Sequence, residues 1–100
     1  MAYDVILSGK ITGDDGYRQK FAKAYAGVRA RRPGVRVWNP ATLPDDREYR
    51  WYVRTCLDVI MNEAAPGCVL RLLPGWNRSL GAVAEWAVAR CLGIKIEFGE

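Results

Sequence analysis

The segment 67–98, GCVLRLLPGWNRSLGAVAEWAVARCLGIKIEF, decides the fold because it contains a strand, a helix and a second strand in succession. The apolar run 67–73 is typical of a buried strand and is ended by a Pro-Gly pair. A helical pattern follows until Gly93, and the apolar stretch 94–98 predicts the last strand. Two strands joined through a helix predict a parallel pair with a right-handed crossover.

The preceding part of the chain shows the same alternation of strands and helices. Apolar patterning predicts a strand over 3–9, a helix from about 17 to Pro33, a short strand over 35–38 and a helix over 46–64. Asp14 or Asp15 is positioned to cap the first of these helices. The inward residues that we predict for the two helices are Tyr17, Phe21, Ala24, Tyr25 and Val28, and Tyr49, Val53, Cys56, Leu57, Ile60 and Ala64.

These elements predict one α/β domain over residues 1–100. We expect a doubly wound, flavodoxin-like or Rossmann-like parallel sheet of four to five strands, in the order 2-1-3-4, with three helices. No stretch is long and apolar enough to cross a membrane, and the first residues do not resemble a signal peptide. The expected location is therefore the cytoplasm, with no membrane partner.

The composition excludes several classes of chemistry. The 100 residues include no histidine, which removes Ser-His-Asp and Cys-His catalysis and His-ligated metals. The three cysteines, Cys56, Cys68 and Cys91, are widely spaced and flanked by apolar residues, so we expect buried, reduced thiols. We expect no metal site and no cofactor.

The net charge of +4 favours an anionic ligand. The only basic cluster, Arg29, Arg31 and Arg32, closes a predicted helix, where cations complement the helix dipole. Nucleic-acid binding through these arginines is the alternative interpretation, and we rank it last. A ligand of nucleotide size suits this charge better than a duplex.

The predicted strand order places a ligand crevice between strands 1 and 3, where the order reverses. The loops 8–15 and 74–81 face this crevice. Both loops contain glycine and serine and lead into a helix, and backbone amides at a helix N-terminus form an anion site.

Glu85 is the one acidic residue between Glu63 and Glu97. Helical geometry places it about 120° from the centre of the predicted core stripe of its helix. Its flank carries Gly81, Ala82 and Ala89. A solvated surface glutamate and a functional carboxylate beside the crevice both fit this position. The predicted core stripe consists of Leu80, Ala84, Ala87, Val88 and Cys91, with Val83 at its edge.

Three motifs together resemble the nucleoside 2-deoxyribosyltransferase-like superfamily, in particular its small, mostly uncharacterised phage and bacterial branch. They are ILSGKITG at 6–13, VWNPATL at 37–43 and LLPGWNRSLGAVAEWAVARCLGI at 72–94. The resemblance is colinear over nearly the whole chain. The third motif, with its Ser-x-Gly-x-x-x-Glu spacing, is the most specific.

The resemblance implies that Glu85 attacks C1′ of a (deoxy)ribosyl group and displaces the base. It also implies that the glycine loop and the residues before the glutamate bind a 5′-phosphate, mostly through backbone amides. A homodimer is the expectation that comes with the superfamily. The phosphate-binding positions are Ser8, Gly9, Lys10, Ile11 and Gly13 in the first loop, and Ser79 and Gly81 in the second.

The superfamily has a second acid on the helix before the third strand, and its position is ambiguous here. Asp58 is the acid available in mid-helix, where it is also a simple polar-face partner for Arg54. An alternative alignment places Cys56 at that position, which would leave hydrolysis weak or absent.

Aromatic residues are candidates for stacking on a base. Trp76 is the best placed, in the crevice loop, whereas Trp38 and Trp51 are typical core or dimer-contact residues. Asn39 can bind ribose or base, although an Asn-Pro pair is also a favourable turn.

Two functions follow from the residues and the resemblance. The first is a hydrolase or transferase of the N-glycosidic bond that acts on a nucleotide or nucleoside. The second is a module of the same fold that binds a nucleotide without turning it over.

Overall fold

The computed structural model describes residues 2–99. Its strands and helices follow the predicted alternation, with two short 3-10 turns added at Pro40–Thr42 and Trp76–Arg78. The elements are β1 (Tyr3–Ser8), α1 (Tyr17–Arg31), β2 (Val37–Trp38), α2 (Tyr49–Asn62), β3 (Ala64–Leu72), α3 (Leu80–Cys91) and β4 (Lys95–Phe98).

The four strands form one parallel sheet in the order β2-β1-β3-β4, which confirms the predicted fold class and strand order. Val5 of β1 pairs with Val37 of β2 on one side and with Val69 of β3 on the other. Val69 in turn pairs with Lys95 of β4. A register shift between Tyr3 and Val5 is the one irregularity among the described pairs.

Each face of the sheet carries its own hydrophobic core, because neighbouring residues of a strand point to opposite faces. Val5 and Leu7 of β1 pack with Phe21 and Val28 of α1 on one face. Ile6 packs on the other face, in the cluster that also contains residues of α2 and α3. This two-sided burial explains why the central strands β1 and β3 contain continuous apolar runs rather than alternating ones.

Helix α1 carries the predicted stripe, with Phe21 and Val28 buried. Neither Asp14 nor Asp15 caps it, so that prediction was wrong. The residue before the helix is Gly16, and the Asp14 carboxylate instead accepts a hydrogen bond from the Gly16 amide (3.0 Å). The helix ends at Arg31, which confirms that the basic cluster lies at its C-terminal end.

Helix α2 is shorter than the predicted 46–64, and its predicted inward face is confirmed at Cys56 and Ile60 but not at Tyr49. Its buried residues are Cys56, Val59 and Ile60, whereas Tyr49 is exposed.

Helix α3 differs more from its predicted orientation, because its buried residues are Ala82, Glu85 and Ala89. The predicted core stripe was wrong for Leu80, which is 85% exposed, and for Ala87 and Cys91, which are exposed as well. Val88 of that stripe does pack against the core as a partly buried residue. Small side chains allow close packing of a helix, and α3 uses its alanines for this purpose.

The cysteine prediction is confirmed for two of three residues. All three are free thiols, with Cys56 and Cys68 buried, but Cys91 is exposed because it ends α3 on the solvent side. Within residues 2–99, no helix has the length and apolar character that a membrane span needs.

Candidate active site

A cavity of about 660 Å³ opens at the carboxyl ends of the strands. Its walls come from the loop after β1, the segment after β2, one face of α2 and the first turns of α3. The position is the predicted one, since the loops that follow β1 and β3 both contribute. A volume of this size is in the range that binds small molecules and cofactors.

Glu85 lies in the wall of this cavity and is buried, with 9% of its surface exposed. Loss of hydration on burial raises the pKa of its carboxyl group to about 7, and the nearby Ser8 hydroxyl opposes this rise in part. The expectation that helical geometry keeps Glu85 away from the packed side of α3 was therefore wrong. The carboxyl group is enclosed by the protein and faces a cavity.

Ser8 ends β1, is completely buried and lies near this carboxyl group. Its hydroxyl lies close enough to Glu85 to favour the ionised carboxylate, but the two do not form a hydrogen bond of regular geometry. Within residues 2–99 no other group pairs with the Ser8 oxygen either. A buried hydroxyl without a regular partner is uncommon in folded proteins, and here it lies beside the buried acid.

Cys56, rather than Asp58, is the residue of α2 that lines the cavity. Burial, and secondly the charge of Glu85, raise the pKa of the Cys56 thiol far above its ordinary value. Asp58 is exposed and lies outside the cavity wall. The second acidic residue in the wall is Asp45, an exposed residue that pairs with Arg18 (3.3 Å).

Backbone amides without partners surround the same cavity. Among the described residues, the amides of Lys10, Ile11 and Thr12 in the loop after β1 donate no hydrogen bond. The same holds for the amides of Leu80 and Gly81, which begin α3. Free amides and the positive end of a helix dipole together favour an anion.

Ser79 and Gly9 both lie in the cavity wall and also have structural roles. The Ser79 hydroxyl accepts a hydrogen bond from the Ala82 amide (3.2 Å) and thereby caps α3. A Cβ atom on Gly9 would lie 3.2 Å from Leu73 Cβ and 3.3 Å from Phe21 Cζ. Glycine is needed there because the loop runs directly over the core.

A family model described as domain of unknown function DUF4406 matches residues 3–98. The chain belongs to the DUF4406 family. No curated protein and no solved structure shows significant similarity to it.

Four of the predicted ligand-binding residues lie outside the wall of the main cavity of this DUF4406 chain. Ser8 is completely buried. Trp76 packs against Trp86 and Phe98, with ring centroids 5.8 Å and 6.1 Å away. The Asn39 side chain accepts a hydrogen bond from the Ala41 amide (3.0 Å) and caps a 3-10 turn. Gly13 lines an adjoining cavity instead.

The aromatic residues that line the main cavity are tyrosines, which the sequence analysis did not assign to a ligand. They are Tyr17, Tyr49 and Tyr52. Tyr52 and Cys56 follow Tyr49 by three and seven residues, a spacing that places all three on one face of a helix. This spacing could have identified Tyr49 and Tyr52 as cavity residues. Tyr49 and Cys56 were instead predicted to be core residues of this helix.

Proposed function

We propose that the chain cleaves the N-glycosidic bond of a nucleoside or nucleoside 5′-monophosphate, with Glu85 as the nucleophile. The observation that carries this proposal is a single buried carboxyl group in the wall of a nucleotide-sized cavity. The resemblance to the nucleoside 2-deoxyribosyltransferase-like superfamily supports the same role. We propose a hydrolase first and a transferase if a second base takes the place of water.

In the first step a Glu85 carboxylate oxygen forms a bond to C1′ of the sugar. The C1′–N bond breaks, and its electron pair leaves with the base, which takes up a proton. In the second step water attacks C1′ and loses a proton. The glycosyl ester bond then breaks and returns Glu85 as a carboxylate, with a hydroxyl group on C1′.

The nucleophile must be ionised, so the raised pKa of Glu85 sets the pH dependence. With a pKa of about 7, half of the carboxyl groups are protonated at neutral pH. We expect base release to increase as the pH rises through about 7 and to reach a plateau above it. The proton for the base comes from solvent, since the other acid in the described wall, Asp45, is exposed.

The 5′-phosphate is assigned to the free amides of Lys10, Ile11 and Thr12 and of the first turn of α3. Lys10 and Arg78 also line the cavity and supply positive charge. The base is assigned to the tyrosine side of the cavity, because aromatic faces stack on any nucleobase. Trp76 is not part of this assignment.

Base release is the direct test of the proposal. The protein is incubated with ribo- and deoxyribonucleotides and nucleosides, and free base is separated by chromatography. Wild-type protein should release base, Glu85→Gln should lose at least about a thousandfold of the rate, and Asp58→Asn should retain it. If no compound is cleaved, or if Glu85→Gln cleaves at the wild-type rate, the proposal is wrong.

The second candidate function is nucleotide binding without turnover, as in a sensor or a module that sequesters its ligand. One observation favours it: α2 presents the Cys56 thiol to the cavity and leaves Asp58 in solvent. Saturable binding of a nucleotide in calorimetry, with the ligand recovered intact after prolonged incubation, would establish this function instead.

A homodimer in the cytoplasm completes the proposal. Leu80 and Tyr49 both line the cavity and are 85% and 54% exposed, so a second chain could cover them and close the cavity. Sedimentation velocity of the wild type and of Leu80→Glu tests this. We expect a dimer for the wild type, weakened by the added charge.

A further inference from the structure

A second cavity, of about 470 Å³, adjoins the main one. It lies between the loop after β1 and the loop after β3. Lys10 and Arg78 line both cavities, so the boundary between the two is formed by two cations. A ligand that fills the main cavity can therefore extend past these side chains into the second one.

The second cavity contains a further cation that bridges the two loops. Lys20 Nζ donates to Asp14 Oδ2 (2.8 Å) and lies 3.5 Å from the carbonyl oxygen of Pro74. The hydrogen bond from Lys20 lowers the pKa of Asp14, so this acid is ionised and its charge is balanced by Lys20. Asp15 is the other acid in the wall and is exposed.

Lys10 and Arg78 are not held in this way, although the charge of Lys10 also contributes to the lowered pKa of Asp14. Within residues 2–99 neither of them forms an ion pair or a side-chain hydrogen bond. The Lys10 ammonium group lies over Gly13, where it is 4.0 Å from the position that a Cβ atom would occupy. Two cations without a direct ion-pair or hydrogen-bond partner among residues 2–99 thus lie at the boundary of the two cavities.

We propose that the second cavity binds the outer phosphate of a nucleoside 5′-diphosphate whose nucleoside occupies the main cavity. This inference rests on the proposed function, which assigns the first phosphate to the amides of Lys10, Ile11 and Thr12. The next phosphate is one bridging oxygen away. Lys10 and Arg78 line the space that it would enter, and cations of this kind form strong hydrogen bonds to phosphate.

Binding is measured by calorimetry with Glu85→Gln protein, so that no ligand is consumed. The ligands are the 5′-monophosphates and 5′-diphosphates of adenosine, guanosine, cytidine and uridine, and inorganic pyrophosphate. For a base that binds, we expect the diphosphate to bind about tenfold more tightly than the monophosphate, which corresponds to about 1.4 kcal/mol. Pyrophosphate alone should bind more weakly than the diphosphate.

The variant that isolates the second cavity is Lys20→Met, because Lys20 does not line the main cavity. Loss of Lys20 leaves the Asp14 carboxylate of the second cavity without its ion-pair partner, so that it repels an outer phosphate. The variant should reduce the preference for the diphosphate to about twofold or less and leave the monophosphate affinity unchanged. Lys23→Met removes the same charge from an exposed position of α1 outside both cavities and should change neither affinity. Circular dichroism confirms that both variants are folded.

Four results would overturn the inference. Equal affinities for mono- and diphosphate would do so, and base release by the wild type would then leave the proposed function standing. If pyrophosphate binds as tightly as the nucleoside diphosphate, the nucleoside contributes nothing to binding and the site recognises the free anion. If Lys20→Met lowers the affinities for the monophosphate and the diphosphate equally, the variant does not act through an outer phosphate in the second cavity. Failure of every nucleotide to bind, with no base release, would remove both proposals.

Discussion

Cys56 of α2 and Glu85 of α3 line the same cavity wall, and the charge of Glu85 adds to burial in raising the pKa of the Cys56 thiol. At neutral pH the Cys56 thiol is therefore uncharged, and the Glu85 carboxyl group is only partly ionised. A buried carboxylate lowers the free energy of unfolding when it ionises, because the folded protein does not hydrate its charge. The site should therefore be measurable in the stability of the protein, even in the absence of a ligand.

The first prediction concerns the pH dependence of unfolding. Glu85 has a pKa of about 7 in the folded protein and 4.5 as its ordinary value. Between these two values the folded state binds more protons, so its stability falls as the pH rises from about 4.5 to 7. At about 1.4 kcal/mol per pKa unit, the total loss is about 3 kcal/mol.

Urea unfolding of the wild type and of Glu85→Gln from pH 4 to pH 8 measures this loss. The two proteins share all other titrating groups, so their difference isolates Glu85. The variant should gain about 3 kcal/mol relative to the wild type between pH 4.5 and 7, and no more above pH 7. A difference that stays constant over this range would show that the carboxyl group is hydrated.

The second prediction concerns Ser8 as a positioning residue for Glu85. Its hydroxyl favours the ionised carboxylate, so Ser8→Ala should raise the pKa of Glu85 further above about 7. Because no regular hydrogen bond is present, we expect a rise of about half a unit to one unit. Carbon-13 NMR of the labelled carboxyl group measures this without reference to any activity.

Thr55→Ala is the matched control, because it removes a hydroxyl group that donates to the Trp51 carbonyl within α2 (2.7 Å). It should leave the titration of Glu85 unchanged. An unaltered pKa in Ser8→Ala would show that the two side chains do not interact, and a lowered one would show that Ser8 disfavours the ionised carboxylate.

The sequence predicts the sheet well because its central strands, β1 and β3, are buried on both faces. Continuous apolar runs such as that of β1, separated by turn residues and helices, leave few arrangements other than a doubly wound parallel sheet. The location of the cavity then follows from the strand order alone. It does not depend on which side chains fill the loops.

The sequence predicts the faces of α2 and α3 poorly, because their orientation depends on tertiary packing. Cys56 and Asp58 differ by about 200° around α2, so the rotation of the helix decides which of them meets the cavity. In α3 hydropathy favours Leu80 as a core residue, whereas the buried positions of the helix are Ala82, Glu85 and Ala89. The small size of the alanine side chains, rather than their hydropathy, determines which face of α3 is buried.

The third prediction separates the three thiols by their accessibility. Cys91 is exposed, whereas Cys56 and Cys68 are buried and burial raises the pKa of both. Because the thiolate is the reactive form, a thiol reagent such as dithionitrobenzoate should modify one cysteine rapidly in the native protein and all three in denaturant. Cys91→Ser should abolish the rapid phase. Rapid modification of two thiols would show that the cavity admits the reagent to Cys56.

The fourth prediction contrasts two glycines whose replacement should have opposite effects. In Gly9→Ala the new methyl group would approach Leu73 Cβ to 3.2 Å and Phe21 Cζ to 3.3 Å. Both neighbours are buried and packed against the sheet, so they cannot move without loss of contacts. We expect a loss of about 1–3 kcal/mol in the free energy of unfolding.

Gly27→Ala adds the same methyl group in the middle of α1, where the nearest atom is the flexible Arg31 guanidinium at 3.7 Å. Alanine favours the helix over glycine by about 1 kcal/mol, so this variant should be more stable than the wild type. In thermal unfolding the melting temperature should rise by about 4–8 °C for Gly27→Ala and fall by at least as much for Gly9→Ala. If both variants gain stability, the loop after β1 is not held against the core, and the free amides of Lys10, Ile11 and Thr12 are not fixed in place for a phosphate.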